Sequence, residues 1–188
     1  MRVIMLGPPG SGKGTQGERI ASRYGVPHIS SGEIFRDEVG RQTETGQTLR
    51  RYLDAGDLVP DDLVISLIMD RVIAAQAEGG WVLDGFPRTL PQAEAAAKAA
   101  AEAGMSAQAV VYLEVPPEAL AERLADRGEG RADDATQVAR HRLEVFTEHT
   151  RPLLDYYTQR GIIVRIDASP PVDEVSEAIF AALDRIDG

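Results

Sequence analysis

The sequence predicts an α/β fold, a five-stranded parallel sheet flanked by helices in three layers. Three observations carry this expectation. Short β-rich runs recur at 3–6, 26–29, 81–83, 110–115 and 162–166, and each is followed by a helical pattern, the alternation that builds a parallel sheet under helices. The runs are nearly continuously apolar, as strands buried on both faces must be. A glycine-rich stretch directly follows the first run, at the junction where such sheets form their sites.

The first run ends at Gly7 and, beyond the glycine-rich stretch, Ile20 and Tyr24 mark the first helical pattern. The second run, the weakest, opens onto residues 30–59, a group of short helical pieces that breaks the strand–helix rhythm. Asp61 or Asp62 is expected to cap the next helix, whose Leu63, Leu67, Ile68 and Val72 share one face, and Gly79-Gly80 to stop it. The run 81–83 ends at Asp84. Pro91 suits the first turn of the alanine-rich helix that follows, and Gly104 its end. Residues 127–135, Arg-Gly-Glu-Gly-Arg-Ala-Asp-Asp-Ala, form a second excursion with no apolar residue but alanine; composition alone would make it a surface loop.

A chain of 188 residues, 43% hydrophobic and 27% charged, suits one globular domain with small inserts. The formal charge of −10 argues against nucleic acid or an anionic membrane as partner, so any phosphate site must concentrate its cations locally. With no cysteine there is no disulfide and no thiolate zinc site. The apolar start is too short for a signal peptide, and no run nears the ~20 apolar residues of a membrane span. The expected location is the cytoplasm.

Residues 7–16 read Gly-Pro-Pro-Gly-Ser-Gly-Lys-Gly-Thr-Gln, between a strand and a helix, the context of a P-loop. Glycines let successive N–H groups curl around a phosphate, and the helix N-terminus adds its positive end. Lys13 supplies a mobile cation. Gly14 stands where the motif usually has Ser or Thr, and the hydroxyl comes one residue later at Thr15. A magnesium ion held through water fits that shift better than one bound by the hydroxyl.

This stretch resembles the P-loop of nucleoside monophosphate kinases, and four later segments extend the resemblance in order over essentially the whole chain. Ser30-Ser31-Gly32-Glu33-Ile34-Phe35-Arg36 is similar to the monophosphate-site motif, with Ser31 and Glu33 where Thr and Asp are more usual. Gly56-Asp57-Leu58-Val59-Pro60-Asp61 resembles the close of that subdomain. Asp84-Gly85-Phe86-Pro87-Arg88-Thr89, with Gln92, is close to the adenylate kinase signature. Arg131-Ala132-Asp133-Asp134, followed by Arg142, resembles the lid base and the helix behind it. With all five in register, the chain is identified as a member of the adenylate kinase family, in its short-lid form.

The resemblance implies a P-loop NTPase-like fold, with a core at 1–29, 60–126 and 136–188, a helical AMP-binding subdomain at 30–59 and a short lid at 127–135. It implies reversible magnesium-dependent phosphoryl transfer from ATP to AMP, giving two ADP, in a monomer that keeps adenine nucleotides in balance and holds no structural zinc. For ATP it implies Gly10, Ser11, Gly12, Lys13, Gly14, Thr15 and Arg127, with Pro170 in a loop whose backbone touches the adenine. For AMP it implies Ser31, Arg36, Asp57, Leu58, Val59, Gly85, Phe86, Pro87, Arg88, Gln92, Arg131 and Arg142. Lys13, Arg88, Arg127, Arg131 and Arg142 are the implied catalytic cations, and Asp84 the residue that orients magnesium waters.

These residue types suit the chemistry. Phosphoryl transfer needs two anions brought in line and their charge neutralised, and the acceptor phosphate is itself the nucleophile. Arginine grips phosphate oxygens bidentately. An acid at the carboxyl end of a central strand stands beside the P-loop, and the Gln92 amide offers an adenine edge both donor and acceptor. Asp133 and Asp134 either hold lid arginines or cap the next helix. His28, His141 and His149 lack ligand spacing and read as structural or exposed. Two other readings compete: a UMP/CMP kinase, disfavoured by Thr89 and Gln92, and a P-loop regulator without turnover, which leaves the acceptor-side arginines without a purpose.

Overall fold

A computed structural model describes residues 1–120, 123 and 136–187. The five β-rich runs become β1 (Arg2–Leu6), β2 (His28–Ser30), β3 (Trp81–Asp84), β4 (Ala109–Glu114) and β5 (Ile163–Asp167), all parallel in the order β2-β3-β1-β4-β5. β1 is central: Val3 pairs with Val82 of β3 on one side and Ala109 of β4 on the other. The chain leaving β1 therefore emerges in the middle of the carboxyl edge, between the two halves of the sheet, where open α/β sheets form their crevice.

The period of two along the strands divides the core into two layers. Val3 and Met5 face one side, with Val82, Val111 and Leu113, and pack against Ile20 of α1 (Lys13–Tyr24) and Ile179 and Leu183 of α8 (Val172–Asp187). Ile4 and Leu6 face the other side, with Leu83 and Val110, beneath Ile68 of α4 (Asp61–Ala77) and Leu153 and Tyr157 of α7 (Leu153–Gln159). Burial of each such side chain contributes about 1.5–3 kcal/mol.

Residues 30–59 fold as two helices, α2 (Ser31–Gly40), capped by Ser30, and α3 (Glu44–Ala55), capped by Thr43. Phe35 and Leu49 anchor them in the same core layer as Ile68. The cap expected of Asp61 or Asp62 is not formed. Pro60 holds the N-cap position, its fixed φ of −52° suiting a helix entry, and both aspartates fall inside the first turn, where a carboxylate favours the helix dipole instead. The alanine-rich segment is α5 (Leu90–Glu102), with Thr89 as its cap and Gly104 just beyond its end. α6 (Thr136–Val145) runs into a π-helical turn at Phe146–Thr150 that no sequence pattern announced. Among the described residues no helix is long and apolar enough to cross a membrane.

Candidate active site

The loop leaving β1 turns on Gly12, which caps α1 at φ +89°, a left-handed conformation that disfavours a side chain. Lys13 Nζ donates to the carbonyls of Gly7 at 2.8 Å and Pro8 at 2.9 Å, drawing the loop into a ring around its own lysine. Ser11 is 2% exposed and its Oγ has no hydrogen-bond partner. Gln16, beside the motif, is tied to α8 instead: its Nε2 donates to Val172 O and its Oε1 accepts from Ser176 Oγ.

Asp84 pairs in register with Met5 at the end of β3, which brings its carboxylate to the P-loop. A Cβ on Gly14 would lie 3.8 Å from Asp84 Oδ2, so the acid stands against the first turn of α1. A hard carboxylate, with the Thr15 hydroxyl in the same cleft, is a donor set that suits magnesium held through its waters.

After Asp84 the chain turns through Gly85, at φ +81°, where any Cβ would run into Ser31 Oγ and lie 3.1 Å from Arg88 Nη2. The Phe86–Pro87 bond is cis, with Phe86 buried beneath it. Arg88 Nε donates to Gly85 O at 2.7 Å, which leaves the two Nη groups to form the fork. Burial lowers the Arg88 pKa, the Arg142 guanidinium lowers it further, and Asp84 opposes them; the group stays cationic, as arginine does. A guanidinium held in that position is short of negative charge. Ser31, fully buried, points a hydroxyl with no hydrogen-bond partner toward Gly85.

One cleft of about 290 Å³ joins these parts. Among the described residues it gathers Gly10, Gly12, Lys13, Gly14 and Thr15 from the P-loop, Ser31 and Arg36 from α2, Leu58, Asp84, Gly85, Pro87 and Arg88, and Arg142 from α6. Against a chain charge of −10, this is the local concentration of cations that a phosphate site requires. Other expected residues sit behind the wall. Ser11, Val59, Phe86 and Gln92 are buried, and Asp57 turns outward to meet His141 Nε2 at 2.7 Å. Pro170 lies outside the cleft, in the loop after β5. Arg127, Arg131, Asp133, Asp134 and the expected lid 127–135 lie outside the described residues.

Two residues escaped the sequence reading. Thr150 lines the cleft from the π-helical turn, its Oγ1 donating to Arg88 O at 2.9 Å and so bracing the strand-to-helix loop; π-turns are frequent at functional sites. Arg123 Nη2 donates to Ala168 O at 2.7 Å and reaches Ser169 O at 3.4 Å, which pins the loop that carries Pro170. No local pattern marks Thr150. The resemblance points to the loop that carries Pro170, but nothing in the sequence joins Arg123 to it.

The family model described as adenylate kinase matches residues 5–162. An adenylate kinase of Micrococcus luteus is 47% identical over 184 residues, covering 97% of this chain and 90% of its own. One from Kocuria rhizophila is 44% identical over 186 residues, with 98% and 99% covered. One from Lachnospira eligens, 42% identical, aligns over 212 positions, more than this chain has residues, and so carries insertions that this chain lacks.

Proposed function

The chain belongs to the adenylate kinase family, and on that premise we propose that its cleft performs the family reaction with the residues assigned below. The reaction is transfer of the terminal phosphoryl group of ATP to AMP, giving two ADP. The observation that carries the assignment is the meeting, in one cleft, of the Lys13 loop with Arg36, Arg88 and Arg142, across Asp84.

Gly10, Ser11, Gly12, Lys13, Gly14 and Thr15 hold the donor phosphates, by backbone N–H groups and the Lys13 ammonium, which exchanges the carbonyls of Gly7 and Pro8 for phosphate oxygens. Arg36 and Arg88 clamp the AMP phosphate from the opposite end. An AMP phosphate oxygen forms the new bond to the terminal phosphorus of ATP as the bond from that phosphorus to the bridging oxygen of the departing ADP breaks. No protein nucleophile takes part. Lys13, Arg88 and Arg142 neutralise charge spread over the transferring group, preorganised so that little rearrangement is needed as it develops. Magnesium, with Asp84 orienting its waters, supplies further charge neutralisation at the phosphates when bound.

Ser31, Leu58, the Gln92 amide and the backbone at Val59 receive the acceptor nucleoside; the buried Ser31 hydroxyl, without a partner inside the protein, supports this. Pro87 lines the wall, with Phe86 buried behind it and Asp57 turned outward to His141, and Pro170, braced through Arg123, belongs to the side that receives the ATP adenine. Arg127 and Arg131 are assigned to the closing lid at 127–135, and 30–59 to the AMP-binding unit. The enzyme is proposed to work as a magnesium-dependent cytoplasmic monomer without structural zinc, keeping adenine nucleotides in balance. A coupled assay with ATP and each of AMP, CMP and UMP tests the acceptor: AMP is expected to give the highest kcat/KM, and a preference for UMP or CMP would defeat the assignment while leaving a P-loop kinase.

A further inference from the structure

Gln92 lies in the first turn of α5, 2% exposed, with both ends of its amide engaged. Its Nε2 donates to Asp61 Oδ1 at 2.6 Å, and its Oε1 accepts from the Arg88 N–H at 2.7 Å. Its own N–H goes to the Thr89 hydroxyl at 3.3 Å, which fixes the base of the side chain. The orientation of the amide is therefore determined by its neighbours. A carboxylate only accepts and a backbone N–H only donates, so the flipped amide would set oxygen against carboxylate and NH₂ against N–H. Asp61 reaches this position from the first turn of α4, directly after Val59 and Pro60.

We propose that Asp61 is a positioning residue that sets the purine preference of the acceptor site, by holding the Gln92 amide in one of its two orientations. The proposal rests on the reading, implied by the family resemblance, that Gln92 offers its amide to the acceptor base from behind the cleft wall, where it is 2% exposed. An amide has two N–H groups and two carbonyl lone pairs; Asp61 takes one donor and the Arg88 N–H one lone pair, which leaves one of each. Adenine presents an amino donor at its 6-position, whereas a 6-oxopurine presents an acceptor there. A fixed amide matches one of these edges and opposes the other. A freely flipping amide discriminates between them far less. The hydrogen bond to Asp61 is charge-assisted and so the stronger of the two locks.

The test compares kcat/KM for AMP and for IMP, at saturating Mg·ATP, in wild type, Asp61→Ala and Gln92→Leu. Asp61→Ser, whose hydroxyl is too short to replace the carboxylate, substitutes if the alanine variant does not fold. Loss of Asp61 is expected to lower the AMP-to-IMP ratio about tenfold, the low end of what a hydrogen bond to a charged group contributes. The change should fall mainly on KM for AMP and leave KM for ATP unaltered. Equal losses for AMP and IMP, or a parallel rise in KM for ATP, mean a merely structural role and overturn the proposal. If Gln92→Leu collapses the ratio and loss of Asp61 does not, Gln92 still faces the base and the proposal alone fails. An unchanged ratio in Gln92→Leu removes the premise, and the proposal with it.

Discussion

Arg88→Met takes a cation from the acceptor end of the cleft and keeps an unbranched apolar stem that ends where the guanidinium begins. In the protein without nucleotide this should cost little. The lost Nε–Gly85 O hydrogen bond contributes about 1.5–3 kcal/mol. Against that, the charged form of Arg88 is disfavoured there by burial and by Arg142, with Asp84 a partial offset, and methionine removes that cost while retaining the apolar stem. A net change within about 1 kcal/mol is expected, a Tm shift of roughly 2–4 °C for a chain of this size. In the transition state the balance reverses. A guanidinium about 4 Å from phosphoryl charge, at the effective dielectric of a partly buried site, contributes up to about 4 kcal/mol. Allowing for screening, a loss of about 2–4 kcal/mol lowers kcat/KM for AMP by about 30- to 1000-fold. The coupled assay should show AMP, CMP and UMP damaged alike, since phosphate carries no base identity, and KM for ATP nearly unchanged. A folded Arg88→Met protein with kcat/KM for AMP within about threefold of wild type would refute the phosphate clamp.

Lys13→Ala should cut turnover by orders of magnitude and keep the fold, although the carbonyls of Gly7 and Pro8 lose their donor; circular dichroism with the coupled assay checks both, and near-normal activity would remove the donor-site assignment. Chelation should stop catalysis yet leave the Tm of the nucleotide-free protein unchanged, because there is no cysteine to build a thiolate metal site; a large drop in Tm would expose a metal the fold depends on. The third concerns His141, whose pKa is raised above its ordinary value chiefly by the hydrogen bond to Asp57, with Glu144 adding to it. A base with a raised folded-state pKa contributes its stability fully below the unfolded value of about 6.5 and loses it as pH rises through the folded value. Wild type should therefore melt above Asp57→Asn at about pH 5.5 and converge with it by about pH 8.5; a gap that does not change with pH would assign the contact to packing alone.

Hydrophobic periodicity and glycine placement act within a few residues, and what they encode was legible in the sequence. The five β-rich runs lie on the five strands to within about two residues, because a strand buried on both faces must be apolar whichever neighbours it meets. The loop at Gly7–Thr15 was legible for the same reason: its ring depends on glycine dihedrals and on a lysine that reaches back only six residues. The helix entry at Asp61 was misread, since aspartate is a good cap by propensity, but Pro60 already supplies the entry geometry. What only the tertiary structure decided are partnerships across the chain. Gln92 meets Asp61 over a separation of 31 residues, Thr150 braces Arg88 over 62, and His141 meets Asp57 over 84. Each joins segments far apart in the chain, which meet only once the sheet has assembled in the order β2-β3-β1-β4-β5. A polar side chain has the same donors and acceptors wherever it sits in the sequence; which of them are taken, and so what is left for a substrate, is set by the neighbours that the fold brings up.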